Sequence, residues 1–260
     1  MLEKERILNG LVTREFGRTI HSFDRIDSTN TFGKRIDPSD APHGTLIIAE
    51  EQTAGRGRLQ RSWESDPGTN LLFSLILYPA FDAEKYRLLP FAASLAAADA
   101  VERVTGLSVS CKWPNDILIG TKKVCGMLLE SVTGNRGVTR IVLGIGLNVN
   151  QEQFPEELRF KATSLVLETG AAADRIVLLQ AVLEELEVRY EQLERYPPQT
   201  LLDDWKMKAL IFGKKITVLE SEFAYDAVAI DLAEDGALIV RPADGPVKRI
   251  YAGDVSIAYQ

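Results

Sequence analysis

Histidine and cysteine are nearly absent from this 260-residue chain, at two each. Cys111 and Cys125 cannot found a disulfide framework, and His21 and His43 leave no zinc-type ligand cluster. No histidine lies near either cysteine in sequence, so both read as small buried residues rather than nucleophiles. Long apolar runs are also missing. The most apolar windows, 70–79 and 91–98, fall far short of a bilayer span, which takes roughly 20 residues. The N-terminal residues carry no apolar signal core, so a reducing cytoplasm is expected, with no membrane partner. Positive charge is in deficit, with a net charge of −7 and a pI near 5.1. That argues against a nucleic-acid binder working by broad phosphate neutralisation. Neither a complete GxGxxG nor a GxxxxGK[ST] is present, and there is no Ser-His-Asp signature, internal repeat or low-complexity segment.

What is present reads as two units. β-branched and aromatic runs predict strands at 19–24, 45–50, 70–78, 108–112, 116–120, 123–131 and 138–149. Helical patterns fall at 29–36, 84–105 and 174–195, the second alanine-rich and buried, the third amphipathic. Strands and helices do not alternate strictly, which predicts an α+β domain with a mixed sheet. Pro197-Pro198 ends the third helix, and a short amphipathic stretch around Trp205 follows. From Gly213 onward five short alternating runs, the last at 255–259, are separated by turn signals such as Glu234-Asp235-Gly236. They predict a small barrel. The expected division is 1–208 and 209–260.

Against the acidic background stands one basic island, Gly55-Arg56-Gly57-Arg58-Leu59-Gln60-Arg61, after a strand-like run. Glycine lets backbone approach a ligand, and arginine forks match carboxylate or phosphate oxygens. The segment is either a loop for an anionic small molecule or a solvated surface turn. Ser28 or Thr29 caps the helix that follows, or Ser28-Thr29-Asn30 together offer donors and acceptors to a neutral polar head group such as a urea or amide. In Lys112-Trp113-Pro114-Asn115-Asp116, Pro114 implies a break or bulge. If the following Gly120-Thr121 turn has two residues, Leu118 faces Lys123, and Asp116 and Lys123 share a face beside Gly126. They would then form a site for a magnesium-bound phosphate or a reacting carboxyl, or else a surface ion pair of little consequence. Gly144-Ile145-Gly146 is too short to name a nucleotide turn, and Asn148 either meets a base or ribose or closes a turn.

Taken in order, Ser28-Thr29-Asn30, Gln52, Gly55 to Arg58, Lys112 to Asp116, Lys123 to Gly126 and Gly146 to Asn148 resemble the bacterial biotin–protein ligases, from about residue 19 onward. The resemblance implies a catalytic domain of the biotin/lipoate ligase type with a C-terminal SH3-like barrel. It also implies a two-step, ATP-dependent attachment of biotin to a lysine of the biotin carboxyl carrier protein of acetyl-CoA carboxylase or a similar carboxylase, through biotinyl-5′-AMP. By that resemblance Ser28, Thr29, Asn30 and Gln52 surround the biotin head group. Gly55, Arg56, Gly57, Arg58 and Arg61 belong to a loop that closes over biotin and the adenylate. Lys123 lies near the carboxylate and α-phosphate, Gly126 meets the ligand through its backbone, and Asn148 stands on the nucleotide side. Arg58, Lys123 and Asp116 are the expected catalytic residues, with Asp116 in a Mg²⁺ or lysine-activating role. The loop departs from the family at Leu59 and Gln60, where an arginine and a second glycine are common. About 20 residues precede the core, too few for the DNA-reading domain of bifunctional members, so a monofunctional ligase is expected. A homodimer is compatible with the family. A lipoate–protein ligase is the competing enzyme and a non-catalytic regulatory protein the competing binder. The polar head-group set favours a ureido ring over a dithiolane.

Overall fold

The computed structural model describes residues 2–134, 137–220 and 223–257. Its larger sheet contains β1 (Ile20–Ile26), β2 (Thr45–Gln52), β3 (Leu71–Leu77), β4 (Ser110–Lys112), β5 (Asp116–Ile119), β6 (Lys122–Gly134) and β7 (Gly137–Leu147). The strand order is β1-β2-β3-β7-β6-β5-β4. β1 and β2 run parallel and the other pairs antiparallel, so the sheet is mixed, as the irregular alternation predicted. The helices are α1 (Lys4–Leu8), α2 (Thr29–Arg35), α3 (Ala83–Tyr86), α4 (Leu89–Thr105), α5 (Leu165–Thr169), α6 (Arg175–Arg195) and α7 (Pro198–Lys208). A second sheet of β8 (Lys215–Glu220), β9 (Phe223–Leu232), β10 (Leu238–Pro242), β11 (Lys248–Ile250) and β12 (Asp254–Ile257) runs antiparallel throughout in the order β11-β10-β9-β8-β12. This is the small all-β unit expected, with residues 258–260 of its last run outside those described. No described helix is long and apolar enough to cross a membrane.

The period of two decides what each face of the large sheet does. On β2, β3 and β7 one set of side chains, Leu46, Ile48, Leu71, Phe73, Leu75, Ile141, Leu143 and Ile145, enters the main core. That core also receives the buried faces of α4, α6 and α7. The opposite set is different. Ile47 and Ile76 join a small cluster against Phe32 and Ile36 of the α2 region. Farther along the same face come Ser74, Gly126, Leu128, Gly144 and Gly146, three of them glycines. α2 therefore covers part of this face, and the glycine-rich part lets Asn30, Trp63 and Lys123 pack closely on the sheet.

The structure departs from the sequence reading at several places. The helix expected over 84–105 is two, broken at Arg87–Leu88, because Pro90 is tolerated in a first helical turn but not in an interior. Pro198 opens α7 at its first position rather than only closing α6. α1 and α5, each five residues long, show no periodic signal. The Gly120-Thr121 hairpin does pair Leu118 with Lys123, but a bulge between Ile117 and Leu118 brings Asp116 opposite Gly126. Trp205 of α7 is fully buried against the edge of Phe91, and its Nε1 donates to Ser94 Oγ at 2.9 Å. Trp205→Ala removes the largest side chain joining α7 to α4, and a loss of about 3–5 kcal/mol in urea unfolding is expected.

Candidate active site

Two neighbouring rungs of the large sheet form the floor of a cavity of about 950 Å³. On the first, Ser74 pairs with Gly144, and Gly144 pairs with Leu128. On the second, Gly146 pairs with Gly126, and Gly126 with Asp116. The rungs are two residues apart, about 7 Å along the strands. Ser28, Thr29, Asn30, Gln52, Arg56, Gly57, Arg58, Arg61, Asp116, Lys123, Gly126 and Asn148 all line this one cavity. Gly55 is set back from it, at the base of the loop, where its carbonyl accepts from the Trp63 N–H.

Hydrogen bonding fixes which atoms the first rung can offer. Asn30 Nδ2 donates to Leu128 O at 3.2 Å and Glu130 Oε2 at 2.9 Å, which uses both its hydrogens. Ser74 Oγ lies 2.6 Å from Asn30 Oδ1. An amide oxygen can only accept, so the Ser74 proton goes to it and Oδ1 retains one lone pair. Gln52 Oε1 accepts from the Thr29 N–H at 2.7 Å, which leaves Gln52 Nε2 to donate. Ser28 accepts from Thr31 N and so caps α2 while lining the cavity, so its two sequence-level roles coexist. Asn30 above the first rung and Gln52 at the end of β2 therefore present an amide acceptor and an amide donor, both with fixed orientation.

The second rung is cationic. Lys123 Nζ lies 2.6 Å from Asp116 Oδ1 as an ion pair without hydrogen-bond alignment, and 5.3 Å from the centre of the Trp63 ring. The Trp63 ring takes the space of a Cβ on Gly146, and the Lys123 ammonium, with the edge of Trp63, takes that of a Cβ on Gly126. Arg58 Nη1 donates to Asn115 Oδ1 at 3.1 Å, and Asn115 Nδ2 in turn bonds Met127 O. Burial lowers the Arg58 pKa from its ordinary value, with the charges of Asp116 and Asp254 opposing. Buried side-chain polar atoms without a hydrogen-bond partner are few among the described residues, and three of the four, Trp63 Nε1, Asp116 Oδ1 and Asn148 Oδ1, belong to residues lining the cavity. Such atoms are costly unless a ligand completes them. Asn148 Nδ2 is held by Thr163 O at 3.0 Å, so its oxygen is the group on offer.

The basic loop is tied down at both ends. Arg56 reaches Glu130 Oε2 at 2.8 Å, and Arg61 reaches Asp254 Oδ2 of β12 at 2.7 Å. Leu59 and Gln60, the positions that depart from the family pattern, have φ of 54° and 60°. That left-handed geometry costs a non-glycine residue roughly 1–2 kcal/mol, so the anchoring arginines hold the loop against backbone strain. Burial would raise the Glu130 carboxyl, yet hydrogen bonds from Lys34 and Asn30 and the charge of Arg56 carry it below the usual carboxylate range. Sequence reasoning missed Ser74, Glu130 and Asp254, which join the site only through strand pairing and long-range contacts. Cys111 and Cys125 are buried, and burial pushes the Cys111 thiol up to about 12 and the Cys125 thiol up as well, so neither is a nucleophile. A second cavity of about 630 Å³ adjoins the first across Arg58 and Asn115 and is lined by Arg87, Trp113 and Tyr251.

Residues 22–148 match the biotin/lipoate A/B protein ligase family, and residues 211–257 match the biotin protein ligase C-terminal domain. The bifunctional ligase/repressor BirA of Bacillus spizizenii is 35% identical, aligned over 98% of this chain and 79% of that protein. The chain belongs to the biotin protein ligase family. Biotin--[acetyl-CoA-carboxylase] ligase of Mycobacterium tuberculosis is 34% identical over 82% of this chain and 78% of its own length. The biotin protein ligase of Aquifex aeolicus, solved with biotin and ATP, superposes with a TM-score of 0.81 at 30% identity, covering 94% of this chain and all of that one. The two family matches fall on the large mixed sheet and the small antiparallel sheet respectively.

Proposed function

We propose that this chain is a biotin–protein ligase that forms biotinyl-5′-AMP from biotin and ATP and then transfers the biotinyl group to a lysine of a biotin carboxyl carrier protein. The observation that carries the reading is the fixed pair of amides, Asn30 above the first rung and Gln52 bonded to the Thr29 N–H. Asn30 Oδ1 accepts and Gln52 Nε2 donates, as a ureido ring with N–H and C=O groups requires. A dithiolane has no polar hydrogens and would leave both amides unanswered, at a cost of about 1–3 kcal/mol each.

With the ring so placed, the carboxylate tail runs toward Lys123 and Arg58. A biotin carboxylate oxygen attacks the α-phosphorus and pyrophosphate leaves. The amine of the acceptor lysine then attacks the acyl carbon, losing a proton as AMP departs. Lys123 and Arg58 offset the repulsion between carboxylate and triphosphate and stabilise the charge that grows on the α-phosphoryl oxygens. Asn148 Oδ1 accepts from a hydroxyl or amino group of the nucleoside. The loop from Gly55 to Arg61 covers the mixed anhydride and keeps water from it. Among the described residues no three His, Cys, Asp or Glu side chains cluster as a metal cage. Magnesium fits only as an ion held mainly by ATP phosphates, with Asp116 as its protein ligand, where it would neutralise triphosphate charge. Biotin-dependent exchange of labelled pyrophosphate into ATP is expected, with none supported by lipoate. Exchange with lipoate but not biotin would overturn the reading.

A further inference from the structure

Glu130 was not foreseen as a site residue and does not line the cavity, yet three donors from two parts of the fold, α2 and the basic loop, converge on its carboxylate. Lys34 Nζ of α2 lies 2.6 Å from Oε1. Arg56 Nη2 of the basic loop lies 2.8 Å from Oε2, and Asn30 Nδ2 lies 2.9 Å from the same oxygen. Glu130 stands on β6 two residues past Leu128, so it shares the ligand-facing side of the sheet. α2 and the loop separate it from the cavity.

We propose that Glu130 is a positioning residue for biotin, setting the amide orientation of Asn30 and clamping Arg56 over the head group through one carboxylate. The argument is one of donor arithmetic. Lys34, Arg56 and the Asn30 amide nitrogen can only donate, so their common partner must accept at both oxygens. A carboxylate can do this and a carboxamide of the same shape cannot, because its NH₂ must face at least one donor. With Gln at this position its one oxygen serves either Lys34 or the Asn30–Arg56 pair; taken by the Lys34 ammonium, it leaves Asn30 Nδ2 with Leu128 O alone and Oδ1 less firmly set toward the ureido N–H. Arg56, which among the described residues otherwise holds only Thr31 Oγ1 at 3.2 Å, loses its anchor on the sheet. Because Asn30 faces the first rung and not the second, the effect should fall on biotin and spare the nucleotide.

This inference rests on the biotin reading. Its test is Glu130→Gln in the full chain, compared with wild type by pyrophosphate exchange at varied biotin and varied ATP. The Michaelis constant for biotin is expected to rise about tenfold or more, the scale of a lost hydrogen bond to a charged group, with that for ATP changing less than about twofold. Trypsin should also cut between Arg56 and Arg61 faster in the biotin-bound variant than in biotin-bound wild type. Equal Michaelis constants for biotin, or parallel rises for biotin and ATP, would overturn the proposal. Should the variant fail to fold, Arg56→Gln at the exposed end of the same link is expected to give the same biotin-selective rise, and its absence is equally decisive. A wild-type chain with no biotin-dependent exchange would defeat the parent reading and this one together. An active wild type with an unaltered E130Q defeats this one alone.

Discussion

Replacing Lys123 with Met is expected to slow biotin adenylation by about a hundredfold to a thousandfold, the range found when one preorganised donor to a developing oxyanion is removed. The ammonium stands against Asp116 and Trp63, next to Gly126, where the proposed reading brings the carboxylate of a ring-bound biotin. Arg58→Met should act in the same direction, since the Arg58 guanidinium lines the same cavity from the loop side. Single-turnover formation of biotinyl-5′-AMP measures the effect. Calorimetric affinity for biotin without ATP should change little, because the proposed head-group contacts of Asn30 and Gln52 do not involve Lys123. A variant that lost biotin affinity in proportion to its rate would show the lysine to be a general binding group and not a partner of the reacting atoms.

The second large effect is expected from a single methyl group. A Cβ on Gly144 would collide with Asn30 Oδ1 and would come within 2.9 Å of its Cγ. Asn30 cannot step aside, because its amide is bonded to Leu128 O, Glu130 and Ser74. Gly144→Ala must therefore displace Asn30 or the strand beneath it. A displacement of this size in a positioning group is worth about a hundredfold, and it should appear as weakened biotin binding in a folded protein. On Gly146 the methyl would meet Trp63 Cε2 at 2.5 Å, and it should instead disturb the adenylate side. Gly57→Ala is a contrast inside the basic loop. Its added methyl meets no protein atom closer than 3.5 Å and should fold without strain. Isothermal titration with biotin, repeated for the three variants, separates these cases.

The glycine comparison shows which parts of the site were legible in sequence. The basic island was conspicuous because charge and glycine are local properties. The same holds for Ser28, whose cap geometry follows from its place ahead of α2. The hairpin at Gly120-Thr121 was also legible, since turn length sets register. What stayed hidden depends on strand order. Ser74 meets Asn30 across 44 residues and Glu130 meets it across 100, and nothing in either neighbourhood marks a polar side chain on a ligand-facing strand. Gly144 looked like half of a nucleotide turn, whereas its use is to give Asn30 room above a sheet. The bulge at Ile117–Leu118 was likewise invisible, though it decides that Asp116 opposes Gly126. The split between α3 and α4 was within reach, because Pro90 sits in the expected helix. The ordered set of motifs identified the family where each motif alone left alternatives.

The two sheets meet at the loop. Arg61 and Lys112 both reach Asp254 of β12, at 2.7 and 3.6 Å. Trp113 Nε1 donates to Gly236 O at 3.0 Å from the strand connection beside them. The small antiparallel sheet therefore forms one wall against which the loop is held.

A crystal structure with a non-hydrolysable biotinyl-adenylate analogue tests the central claim most directly. It should show the ureido N–H on Asn30 Oδ1, the ureido oxygen on Gln52 Nε2, and Lys123 and Arg58 within hydrogen-bonding reach of the bridging oxygen or phosphate. An analogue with its ring reversed toward Lys123, or seated in the adjoining cavity beside Arg87 and Trp113, would contradict it.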